Sequence, residues 1–178
     1  MDLGPVDRIT ADAIGNPGER TFYIQARAGA ELVTVIVEKQ QVQLLAASVL
    51  ELLEEAPPTE AALDEPLMDL EQPIDPRWRA GRLSIGFDHD RDLFMLEVEE
   101  FRPDPEDVEL ELGDPRAAIP ETEPESIRIW ASPAQMLALS RHGAEVASRG
   151  RPTCQFCGNP IDAEGHTCPA MNGHSRRL

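Results

Sequence analysis

The chain has 178 residues, 41% of them hydrophobic, enough for one globular domain with a small appendage and too many for global disorder. Its 33 acids outnumber its 16 Lys and Arg residues, and the net charge of -17 opposes broad binding to phosphate backbones or anionic lipid. No apolar run approaches the roughly 20 residues that span a bilayer, and Met1-Asp2-Leu3-Gly4 opens no signal peptide, so a cytoplasmic protein is expected.

In chain order, Asp7 to Ala13 reads as a strand and Arg20 to Arg27 as a second, joined by the turn Asn16-Pro17-Gly18-Glu19. In the second strand Phe22, Ile24 and Ala26 share one face, and Tyr23, Gln25 and Arg27 the other. Glu31 to Glu38 is β-branched on both faces, as a central strand would be. A helix follows from about Gln40 to Glu55, with Val42, Leu45, Val49 and Leu52 as its apolar stripe, broadened by Ala46 and Leu53. Ala56 to Pro76 carries Pro57, Pro58, Pro66, Pro73 and Pro76 among acids and reads as a solvated linker.

The pattern then restarts. Trp78 to Phe87 and Asp92 to Glu100 read as strands around the turn Asp88-His89-Asp90-Arg91. Phe101 to Glu125 is acidic and broken by prolines, and Ile127 to Ala131 gives a sixth strand. The last helix begins with a capping box, Ser132 as N-cap and Gln135 three residues on, with Pro133 in the first turn. Met136, Leu139 and Val146 are its core positions, and Gly143 permits close approach of a neighbour.

The halves read as two copies of a strand-strand-strand-helix unit. Ile14-Gly15 matches Ile85-Gly86 at an offset of 71, and Phe22 to Ala26 matches Phe94 to Val98 at 72. Val35, Gln41, Val42 and Leu45 match Ile129, Gln135, Met136 and Leu139 at 94, the jump being close to the length of the acidic insert. The expected fold is therefore α+β: duplicated β-β-β-α units forming a mainly antiparallel sheet of about six strands, with two helices and a zinc-ribbon-like tail. The duplicated domain spans 1–150, with repeats at about 5–56 and 77–149, and the tail spans 151–178.

All three cysteines lie in that tail. It reads Cys154-Gln155-Phe156-Cys157-Gly158, then Gly165-His166-Thr167-Cys168-Pro169, then Asn172-Gly173-His174. Cys-x-x-Cys-Gly has the shape of a zinc knuckle: the chain reverses between two thiolates, and Gly158 allows the turn. Cys168 supplies a third thiolate, and His166 and His174 compete for the fourth position, with His166 favoured because it sits two residues from Cys168. A segment whose large apolar groups are Phe156, Ile161, Met171 and Leu178 cannot offset its chain entropy by burial, and a metal would supply the missing stabilisation. Thiolates select zinc over magnesium or calcium, and four protein ligands make a closed, structural site.

FYIQARAG, LFMLEVEEF and the ending CGNPIDAEGHTCPAMNGH resemble an uncharacterised, mostly actinobacterial family, the domain of unknown function 3090 or "repeat protein" family. The resemblance covers nearly the whole chain. It implies a shared Cys-x-x-Cys-Gly…Gly-His-x-Cys-Pro ending, which favours His166, although Ala170 replaces the family's usual basic residue. It implies no activity. Gene neighbours resembling a histidine phosphatase and a lipid kinase imply at most a shared pathway.

Three function classes follow. An enzyme finds little support: Asp88-His89-Asp90 sits where a polar turn is expected, His142 beside Arg141 reads as solvent-facing, and no Gly-rich phosphate loop or nucleophile elbow occurs. Such an enzyme would run an unknown reaction beside the phosphatase-like or kinase-like neighbours. A nucleic-acid-associated regulator could use the tail, where Arg151, Arg176 and Arg177 face two acids, but the acidic body opposes docking and aromatics total only 4%. The favoured expectation is a non-catalytic zinc-containing adaptor or regulatory protein that binds a protein partner, with Cys154, Cys157, His166 and Cys168 as metal ligands. Glu97 to Glu125, with 12 acids against Arg102 and Arg116, could attract a basic partner.

Overall fold

The computed structural model describes residues 1–54, 68–103, 123–150, 153–159, 161 and 165–171. Most of the acidic insert, the first part of the expected linker, and Arg151, His174, Arg176 and Arg177 lie outside the described residues.

Among the described residues, seven strands and two long helices follow in the order β1 (Asp2–Leu3), β2 (Arg8–Ile14), β3 (Thr21–Ala28), β4 (Glu31–Val37), α1 (Lys39–Leu53), β5 (Ala80–Asp88), β6 (Leu93–Glu100), β7 (Ser126–Ala131) and α2 (Pro133–Ser148). The fold is α+β, but the expected single sheet of about six strands is two sheets. One has the order β2-β3-β4 and is antiparallel throughout. The other has the order β1-β7-β6-β5, with β1 parallel to β7 and the remaining pairs antiparallel. The two sheets meet at a single parallel bridge between Ile36 and Arg79, too little pairing to make one sheet. Strand β1 escapes sequence reading because two residues before Gly4-Pro5 show no alternation.

Each half is thus a three-strand meander followed by a helix, and the halves exchange contacts reciprocally. The segment before β2 lies along β7, where the Val6 amide donates to Trp130 O at 2.8 Å. The segment before β5 lies along β4, where the Ile36 amide donates to Trp78 O at 3.0 Å. Both helices open with a capping box that uses glutamine at the third position, Glu38 with Gln41 and Ser132 with Gln135. Each glutamine then reaches the other half: Gln41 Nε2 donates to Gly81 O at 2.9 Å, and Gln135 Nε2 to Val6 O at 2.8 Å.

Alternation puts the core between these layers. Phe94, Leu96 and Val98 of β6 are fully buried, with Ile127 and Ile129 beside them and Ile9, Ile24, Val33 and Val35 in the other sheet. Each such side chain contributes about 1.5–3 kcal/mol over an exposed one. The apolar stripe of α1 buries Val42, Leu45, Ala46 and Val49, as its spacing predicts. The helices cross where Ser140 Oγ donates to Ala46 O at 2.9 Å inside the core. A Cβ on Gly143 would meet Val42 Cγ1 at 3.0 Å and Ala11 Cβ at 3.4 Å, so a glycine lets α2 seat against both α1 and β2.

The expected solvated linker does not hold for residues 68–71. Met68 is buried, and the segment from Met68 to Glu71 straps across the outer face of β2-β3-β4. What holds it is a polar row on that face, Thr10, Gln25 and Thr34, aligned by strand register and almost inaccessible to solvent. Gln25 reads the strap's backbone in both directions: it accepts from the Glu71 amide at 2.7 Å and donates to Glu71 O at 3.0 Å. Thr10 Oγ1 donates to Met68 O, and the Glu71 carboxylate pairs with Arg8 and Arg27. Part of the expected linker, Met68 to Glu71, is thereby held as a structural element.

Candidate metal centre

The tail enters the fold through Cys154, which is 4% exposed. From there the chain turns back tightly. The Cys154 amide donates to Asn159 O and the Gly158 amide to Cys154 O, both at 2.8 Å. Gly158 has φ +73°, the left-handed conformation that a glycine adopts at no steric cost. This reversal puts Cys154 and Cys157 on one side of the turn and aims the Phe156 amide at Cys154 Sγ, 3.5 Å away. His166 and Cys168 return from the opposite side, ahead of a 3₁₀ turn at Pro169–Met171.

The structure brings together Cys154, Cys157, His166 and Cys168, whose ligand atoms all lie within 4.8 Å of one another and could hold a metal ion. Cys154 Sγ is 3.8 Å from Cys168 Sγ, and Cys157 Sγ is 3.3 Å from His166 Nε2. A tetrahedral ion with metal–sulfur bonds of ~2.3 Å places its sulfurs about 3.8 Å apart and sulfur and nitrogen about 3.5 Å apart. The donor set suits such an ion in number and type, and these two separations match its spacing.

Local electrostatics differ between the thiols. Donation by the Phe156 and Cys157 amides holds the Cys154 thiol below the usual cysteine range. At Cys157 the Asn159 amide also pulls downward, but burial and the neighbouring thiols outweigh it and leave that thiol raised.

The other candidates behave differently. Asp88 Oδ1 accepts from the amides of Asp90 and Arg91, and His89 stacks edge-on against Phe87, so Asp88-His89-Asp90 is an ordered polar turn. His142 is not solvent-facing, contrary to its reading beside Arg141. Its side chain is 15% exposed, and Nε2 stands 3.8 Å from Asp12 Oδ1 of β2. Helix α2 lies flat on β2, which puts His142 over the strand and leaves Arg141 exposed. Burial pushes the Asp12 carboxyl up, but His142, the Ala13 amide and the charge of Arg149 together hold it below the usual carboxylate range.

No described helix is long and apolar enough to cross a membrane. No curated protein and no solved structure matches the chain. A family match covers residues 1–168, which includes all four clustered ligand residues and stops short of His174. The chain belongs to the family described as "Protein of unknown function (DUF3090)".

Proposed function

We propose that the protein is a non-catalytic, zinc-containing adaptor, in which a Cys3His site makes the tail an ordered knob on a duplicated α+β domain. The observation that carries this reading is the convergence of three thiols and one imidazole within 4.8 Å of one another. Four protein ligands leave no position for a reacting water, which favours a structural ion, and thiolate softness favours zinc.

Duplication is supported by the reciprocal contacts. An offset of 94 aligns Gln41 with Gln135 and Ala46 with Ser140; the glutamines bond the opposite halves, and the second pair touches at the helix crossing. Equivalent positions meeting each other is what a pseudo-two-fold axis produces.

The partner reading draws on β5. From Arg82 to Asp88 this strand pairs only with β6 among the described residues, so its other edge offers unpaired backbone groups. Beside that edge runs a groove of about 330 Å³ against α1, lined by Leu44, Leu45, Leu83 and Ile85. Leu44 is 69% exposed. An extended peptide could add to the edge and place alternate apolar side chains in the groove.

Quantitative affinity capture with wild type and Leu44→Glu tests this. The expected result is a protein recovered with wild type and reduced roughly tenfold with the variant, whose melting temperature stays put because the site is exposed. Equal recovery by both, or no stoichiometric protein with wild type, contradicts the adaptor reading.

A further inference from the structure

In a chain with twice as many acids as bases, a cation without an acid partner is informative. Most of the described arginines sit within ion-pair distance of a carboxylate, but Arg20, Arg82, Arg141 and Lys39 belong to no such pair among the described residues. Arg20 and Lys39 share one groove of about 400 Å³. It lies between the β2–β3 turn, the start of α1 and the end of α2, and no carboxylate among the described residues lines it. The neighbouring acids are turned elsewhere: Glu38 pairs with Arg79, and Glu145 with Arg149.

Arg20 is anchored, and the exposed Lys39 stands beside it. Arg20 Nη1 donates to Val146 O at 3.3 Å, anchoring the guanidinium to the last turn of α2 while its other hydrogens take no acceptor among the described residues. Lys39 Nζ stands 3.5 Å from where a Cβ of Gly150 would be, so the ammonium rests over the backbone at that glycine. The remaining walls are Pro17, Phe22 and Ala147, which are apolar, and Thr153, which adds a hydroxyl.

We propose that this groove binds a phosphate dianion carried on a small organic group. Two positive charges match two negative ones, a guanidinium and an ammonium are donors suited to phosphoryl oxygens, and the apolar wall accepts the organic body. The volume suits a small phosphomonoester. The site uses no residue of the Cys3His cluster and does not depend on which metal that cluster holds.

The test is an amide-resonance titration of the full-length protein with inorganic phosphate at constant ionic strength, with acetate as the monoanionic comparison. Wild type is expected to show saturating shifts at Gly18, Lys39 and Gly150. Lys39→Gln and Arg20→Gln should each weaken the apparent affinity roughly tenfold, the loss of one charge-assisted contact, while amides of the β6 core stay unmoved. Non-saturating shifts in wild type, unchanged affinity in both variants, or acetate matching phosphate would overturn the proposal.

Discussion

Chelation of the metal, or Cys157→Ser, is expected to abolish amide protection from Cys154 to Cys168 while leaving the two sheets folded. The size of the effect follows from the composition of the tail. Cys154 is its one described residue in the buried set, and Phe156 is 56% exposed, so hydrophobic burial contributes little there. A structural zinc supplies about 10–16 kcal/mol to small domains of this kind at neutral pH, and without it such segments unfold. The sheets have their own core of strands and crossed helices and share little of it with the tail. Hydrogen exchange before and after chelation separates the two. Protection lost only in the tail agrees with the account; loss of protection in β6 and β3 as well, or no change anywhere, disagrees with it.

Gln25→Leu is expected to lower stability by about 3 kcal/mol, roughly 6–12 °C in melting temperature for a chain of this size. Leucine fills similar space but offers no partner to Thr34, Arg8 or the backbone of Glu71, all of which bond Gln25. Either those groups stay buried and unpaired, or the strap lifts and exposes Met68 and Thr10. The same network sets an acid limit. Hydrogen bonding from Arg27, with a further one from Arg8, holds the Glu71 carboxyl below its usual range despite burial. A carboxylate with a depressed folded pKa stabilises the protein fully above its unfolded value, about 4.3, and that contribution disappears as pH falls through the folded value. Protection of the Glu71 amide, relative to its intrinsic exchange rate at each pH, should therefore fall on acidification below about pH 4, whereas Glu71→Gln should have the lower protection already at neutral pH. A strap equally protected in wild type and Gln25→Leu contradicts this view.

How far the sequence carries the fold can be seen element by element. The strands with clean alternation, such as the run from Phe94 to Val98, and the stripe of α1 are legible because each buries one face against one layer. The Ser132 box is legible from its cap residue, whereas the Glu38 box is not, because glutamate is not a favoured N-cap and its role appears only once Gln41 is seen to close the reciprocal bond. The strap is hidden for a different reason. Prolines and acids usually mark solvated chain, and nothing in residues 68–73 shows that a glutamine on a strand 46 residues earlier will bond Glu71. The division into two sheets is equally non-local, since it turns on whether β4 and β5 continue pairing beyond Ile36 and Arg79. By contrast, the Cys and His spacing is a local property of a short loop: the three cysteines converge with His166, the favoured of its two candidate histidines, while His174 lies outside the described residues.

X-ray absorption at the zinc edge, on purified and thiol-reduced protein with elemental analysis of the same sample, probes the metal centre most directly. One zinc per chain in a shell of three sulfurs near ~2.3 Å and one nitrogen near ~2.0 Å is the predicted result. Substoichiometric zinc, or a shell containing a water oxygen in place of one of these ligands, would contradict a closed structural site.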